Sequence, residues 1–429
     1  MKRLISMLLA TAMLSGLPAC SQSGKLTGAD LVAAPVYPKG IDFEDSDKLR
    51  ELRENNPVSE DTVNAVNQFS YDTAAQILKG RGTNSCYSPL SLYYALALAA
   101  TGAGDTTRDE LLALLGAEDT AGLSEQCGYL YRLLYANNGI SRLKTANSLW
   151  LDDEMDGQKI AFKDSYVKNA TEYFYASLFT VDFADGNTGK AMGQWISENT
   201  EGTLSPEFQT NAEQIMSILN TVYFYDQWID RFNTKNTKKD AFYPGSGQEV
   251  VCDFMNMTYG SHGFSRGDGY TRSSLGLKES GGMVFILPDE GVAVADLLAS
   301  PQKLEEIFTK GEGKNGEVVW SVPKFKYGSS FDLTDVMKAL GVTSAFSLDR
   351  ADFSGITDAP AFISGVKQET HISIDENGVE ASAFTRIDYT GAAMPEDKAE
   401  MILNRPFIYG ITASNGALLF VGVCMNPAL

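Results

Sequence analysis

The sequence predicts an α+β fold with large mixed or antiparallel sheets. Helical periodicity dominates the first half of the chain, and strand-like apolar runs dominate the second. A regular strand–helix alternation, which a doubly wound parallel sheet requires, is missing. No internal repeat or low-complexity block is present.

Val63, Val66, Phe69, Ala74, Ile77 and Leu78 recur at helix spacing, and Gly80 and Gly82 end that helix. Ser88-Pro89 opens a second helix, with proline at the first helical position. Residues 90–100 are apolar nearly all round, which predicts a buried helix rather than a surface one. A short third helix starts at Thr106-Thr107-Arg108, and two more follow, running through Asn138 and Tyr175. Strands are expected over 215–225, 283–287, 318–325, 370–374, 407–413 and 418–424.

The N-terminus reads as a targeting segment outside the fold. Lys2 and Arg3 precede an apolar stretch over 4–17 that is too short to span a bilayer stably. Leu17-Pro18-Ala19-Cys20 resembles a bacterial lipobox, so residues 1–19 are expected to be a signal peptide and Cys20 the lipidated residue. Residues 20–58 mix glycine, serine, proline and charge without a period and read as a flexible tether. The protein is expected outside the cytoplasm, as a cell-surface lipoprotein or in secreted form. Its only expected membrane contact is the lipid anchor.

The 429-residue chain carries 55 acidic against 35 basic residues, a formal charge of −20. That argues against nucleic acid and other polyanions as partners. Its two histidines, His262 and His371, rule out a His-rich zinc site, and no metal or cofactor is expected. Cys86, Cys127, Cys252 and Cys424 sit in apolar contexts without a C-x-x-C pair and read as buried free thiols. Gly263-Phe264-Ser265-Arg266-Gly267 matches G-x-S-x-G. Its flanks are loop-like, whereas a nucleophile elbow needs a strand before it and a helix after it. A hydrolase using Ser265 is therefore the remote reading, and no catalytic residue is assigned. Between two strong strands, residues through Thr390-Gly391-Ala392-Ala393-Met394-Pro395 form a weak, small-residue stretch. A loop of ~20 residues inside a compact domain is usually functional or disordered.

Several motifs together resemble the serpin family. They are Asn84-Ser85-Cys86-Tyr87-Ser88-Pro89-Leu90-Ser91-Leu92, Thr145-Ala146-Asn147-Ser148-Leu149-Trp150, and Leu219-Asn220-Thr221-Val222-Tyr223-Phe224 through Trp228. Val322-Pro323-Lys324-Phe325, Asp375-Glu376-Asn377-Gly378-Val379-Glu380-Ala381 and Asn404-Arg405-Pro406-Phe407 follow in family order. The resemblance covers residues 59–429. It implies helices plus three β-sheets, a large central sheet A and an exposed reactive loop.

The resemblance also implies a serine or cysteine protease inhibitor, not an enzyme, working as a suicide substrate: the protease cleaves the loop, which then inserts into sheet A. A non-inhibitory member that is merely cleaved is the alternative. Glu376, Gly378, Val379, Ala381, Ala383 and Thr385 fall on the family hinge, with Gly378 at the pivot. At strand period two, Val379, Ala381, Ala383, Thr385, Ile387 and Tyr389 would face the core and carry no charge. Glu380, Arg386 and Asp388 would face water, and Phe384 is bulkier than usual. Ser88, Ser91 and Asn220 match the shutter under sheet A, with Gln368 where the family usually has histidine. Lys324, Glu376 and Trp228 match the breach at the top of that sheet.

The usual register puts the scissile bond at Ala392-Ala393, with Gly391, Ala393 and Met394 as alternative baits, Met394 being disfavoured because Pro395 follows it. Alanine at the bait suits an extracellular protease with a small apolar pocket, elastase-like or subtilisin-like. No heparin activation is expected, since residues 124–138 hold one basic side chain, Arg132. The protein is expected to be a monomer.

Overall fold

The computed structural model describes residues 26–155, 157–245, 247–379 and 397–429. The hinge positions Ala381, Ala383 and Thr385, the bait Ala392-Ala393 and the lipidation site Cys20 lie outside the described residues.

Eight strands form sheet A: β1 (Asp30–Ala33), β2 (Ala136–Asn137), β3 (Ser141–Asp152), β4 (Ala176–Val181), β5 (Met216–Gln227), β6 (Phe325–Asp332), β7 (Ile363–Ile374) and β8 (Gly378–Val379). Their order is β1-β4-β3-β5-β8-β7-β6, with β2 on the flank of β3. A nine-stranded sheet, B, and a two-stranded hairpin complete the β structure. The helices used below are α1 (Ser46–Asn55), α2 (Glu60–Leu78), α3 (Pro89–Ala100), α4 (Thr120–Leu134) and α5 (Thr188–Asn199).

Helix α3 is capped by Ser88, whose Oγ accepts from Ser91 N, and Pro89 opens it. Every one of its residues is buried, because it runs through the centre of the main core. A second apolar cluster lies between sheet A and α5, built on Trp150, Phe179, Phe183, Met192 and Trp195.

Three sequence expectations change. Residues 20–58 do not read as a tether from Leu26 onward: β1 and α1 lie there, and Leu26 and Ala29 are buried. The aperiodic pattern arises because this stretch lies along existing surfaces and so needs no continuous apolar stripe of its own. The flank before Ser265 is not a loop, since Val250–Gly267 is one long strand of sheet B, whereas Asp268-Gly269 after it is a turn, as expected. The expected 318–325 strand is two, Glu312–Pro323 and β6, divided at Lys324. None of the four described cysteines forms a disulfide.

Candidate functional site

Sheet A has a seam between β5 and β7. These strands pair in parallel from Met216↔Ile363 up to Thr221↔Glu369. Above that level β8 lies between them: Val379 pairs with Ile374 and Asp226, and Gly378 pairs with Gln227. Gly378 does not have a positive φ, so the backbone reversal expected of it is not its reason for being glycine. A Cβ there would lie 2.2 Å from Asp226 O and 2.7 Å from Gln227 Cα, so glycine is what lets the chain close on β5.

The turn before β8 is held on several sides. Trp228 Nε1 donates to Asp375 O at 2.9 Å. Trp228 N donates to Asn377 O at 3.0 Å, and Phe232 N to Glu376 O at 3.0 Å. Lys324 Nζ donates to Glu376 Oε2 at 2.9 Å, and Thr237 Oγ1 donates to its Oε1 at 2.8 Å. Burial alone would raise the Glu376 pKa, but its bonds to Lys324 and Thr237 outweigh that and hold it below the usual carboxylate range.

The ion pair is therefore fully present above the ordinary glutamate pKa, ~4.3. Its contribution is lost as pH falls through the lowered folded value. Glu376→Gln should lower the melting temperature of the uncleaved protein by about 2 °C at pH 7. The difference from wild type should vanish in acid, and a constant difference down to pH 3 would refute this account.

Lower in the seam lie the polar residues under the sheet. Gln368 grips the backbone of Ser88 twice: Ser88 N donates to Oε1 at 2.9 Å, and Nε2 donates to Ser88 O at 2.8 Å. Ser88 Oγ donates to Leu419 O at 2.9 Å. Ser91 Oγ donates to Asn220 Oδ1. Asn220 Nδ2 donates to Asn147 Oδ1 at 2.6 Å. All five side chains are buried and satisfied. Asn220 and Gln368 are register partners across the seam.

Sequence reasoning missed Asp226 and Gln227. Asp226 is wholly buried and accepts from the backbone N–H groups of Gln227, Glu279 and Ser280. Burial raises its pKa despite those bonds. Its signal was a charge at the inward parity of Val222 and Phe224 on a buried strand. Ser265 lies inside its strand, where Arg272 Nη2 donates to its Oγ at 3.3 Å. His262 bonds Ser274 O and stacks on Tyr259, and His371 is in sheet A. The described residues around Ser265 include no nucleophile elbow.

A central sheet entered at one end by the start of a hinge, above a buried polar shutter, defines the serpin fold. Residues 64–427 match the family model described as Serpin (serine protease inhibitor). An uncharacterized serpin-like protein of Thermococcus kodakarensis is 30% identical over 395 residues, covering 89% of this chain and 88% of that one. Serpin-Z1B of Triticum aestivum is 29% identical, covering 82% and 92%. The crystal structure of the thermophilic serpin tengpin in its native state aligns at TM-score 0.75 and 26% identity, covering 93% and 99%. The chain belongs to the serpin family, whose members are generally protease inhibitors.

Proposed function

We infer that this chain inhibits an extracellular serine protease as a suicide substrate, through loop cleavage and insertion into sheet A. The observation that carries this reading is β8, a first pair of hinge residues already in register between β5 and β7. If a cleaved loop continued antiparallel from Val379, Ala381 would come between Phe224 and Ile372 and Ala383 between Val222 and Thr370. Thr385 would then meet Asn220 and Gln368, which already face each other. The flanking residues at these levels are buried, so the uncharged half of the hinge would meet the core.

With Ala392 as bait, the target has a small apolar specificity pocket. The protein acts as a monomer and leaves the cytoplasm, held at a membrane only by lipid on Cys20. Arg132 is engaged by Asn56, with Nε donating to Oδ1 at 2.6 Å, which fits the expected lack of heparin acceleration.

The test is a panel of proteases mixed with the protein and resolved on denaturing gels. Elastase-like and subtilisin-like enzymes should form a covalent complex. Trypsin should cut after Arg386 without being trapped, because that cleavage frees too short a strand. Ser265→Ala should inhibit as wild type does. Cleavage by every enzyme with no complex from any would leave a non-inhibitory serpin. Loss of inhibition in the Ser265 variant would revive the hydrolase reading.

A further inference from the structure

The chain enters the fold at the end of sheet A farthest from the hinge. Asp30 pairs with Thr180, Thr180 with Leu151, and Leu151 with Met216, so these residues form one row across β1, β4, β3 and β5. Val379 enters ten residues higher on β5, beside Asp226. At about 3.3 Å per residue the two levels lie roughly 33 Å apart. Ahead of Asp30, Leu26 and Ala29 are buried in the apolar cluster between sheet A and α5, and Thr188 Oγ1 donates to Gly28 O at 3.2 Å. The domain therefore grips the chain from Leu26 onward. Cys20 stands six residues earlier, and six residues span at most about 22 Å. A free tether over 20–58 would have reached up to about 130 Å.

The same end of the sheet is where cleavage would send the protease. If the inserted loop kept the register begun by Val379, Tyr389 would draw level with Met216. Ala392 would stop three residues beyond, about 10 Å below that row. An enzyme acylated on Ala392 would be carried there. Across β5, β3 and β4 to β1 there are four strand spacings of about 4.8 Å, roughly 19 Å in all. Anchor and delivered protease thus leave the sheet at one end, side by side. A protease of about 250 residues has a radius of gyration of about 18 Å and is about 45 Å across, twice the reach of the leash. Asp30, Asp153, Asp182 and Asp185 line one open cleft with Leu26 at this end. Their charge repels anionic headgroups, so the lipid rather than the protein surface has to hold this end to a bilayer.

We propose that lipid on Cys20 holds the lower end of sheet A close to the bilayer, with the bait loop turned away, so that a delivered protease and the bilayer compete for the same space. This rests on the lipid-anchor and loop-insertion readings above. The leash leaves encounter and cleavage untouched, because the bait is at the far end. It slows insertion, because the domain has to tip before the protease can arrive. Slower insertion gives hydrolysis of the acyl-enzyme more time, and more loops are cut for each protease trapped.

The test compares the lipoprotein in phosphatidylcholine vesicles with Cys20→Ser in free solution, both against a subtilisin-like protease. Loop cleavage should proceed at the same rate in both. The stoichiometry of inhibition should be at least about threefold higher on vesicles. A third form carries about twenty glycine and serine residues inserted between Ser23 and Gly24, enough to clear a protease while keeping the lipid. Its stoichiometry on vesicles should return to that of Cys20→Ser. Equal stoichiometries for all three forms would overturn the proposal, as would a deficit on vesicles that the longer leash does not relieve. Two other failures are distinguishable from these. If Cys20→Ser traps nothing, loop insertion itself fails; if the mass of the mature protein shows no lipid, the anchor fails, and in either case the proposal falls with it.

Discussion

Ala383→Arg should convert the protein from a trap into a substrate. If the inserted loop kept the register begun by Val379, position 383 would arrive between Val222 and Thr370, which are 6% and 0% exposed. An arginine there would enter the core without a partner, at a cost of several kcal/mol. Insertion competes with hydrolysis of the acyl-enzyme, and each 1.4 kcal/mol added to the insertion barrier slows it about tenfold. A loss of ~3 kcal/mol would thus hand almost every encounter to hydrolysis. The stoichiometry of inhibition measures this directly, and it should rise at least about tenfold while loop cleavage continues at the normal rate. Ala381→Arg should do the same from its place between Phe224 and Ile372. Trapping by Ala383→Arg at the wild-type ratio would mean that this residue does not face inward.

Cleavage at the bait should raise the melting temperature by tens of degrees. Insertion adds about ten strand residues, each gaining roughly 1 kcal/mol net per hydrogen bond, and it would bury Ile387 and Tyr389 at about 25 cal/mol per Å². The sum is on the order of 10 kcal/mol, far beyond what a nick in an ordinary surface loop could add. Two measurements belong together: melting before and after cleavage, and the mass of the small C-terminal fragment. That fragment should begin at Ala393. A fragment beginning at Ile387 from a stable complex would move the bait to Arg386. An unchanged melting temperature would mean that the loop stays outside the sheet.

The legible parts of the fold were those where one element carries its own signal. Helix α3 announced its burial through an apolar circumference and its start through Ser88-Pro89. Lys324, Glu376 and Trp228 came together as their motifs implied, because each sits at the end of a strand whose apolar run was plain. What stayed hidden was structure borrowed from neighbours. β1 is a four-residue edge strand with an exposed face, and its order comes from β4 and α5 rather than from alternation within it. The strand holding Ser265 was obscured by glycines and polar residues because half of it is exposed. Gly378 was correctly marked as special, but its reason, the backbone of Asp226 and Gln227 a few ångströms away, belongs to a segment distant in sequence.

The amide at Gln368 has a consequence for the conditions under which the seam can work. Its two bonds to Ser88 join an amide to a peptide group, and neither changes charge across the physiological pH range. An imidazole at this position would gain a proton near pH 6.5 and lose its role as acceptor. The staple between β7 and α3 is accordingly indifferent to acidification. A host environment that swings from neutral to mildly acidic would leave this grip, and the timing it imposes on the sheet, unchanged.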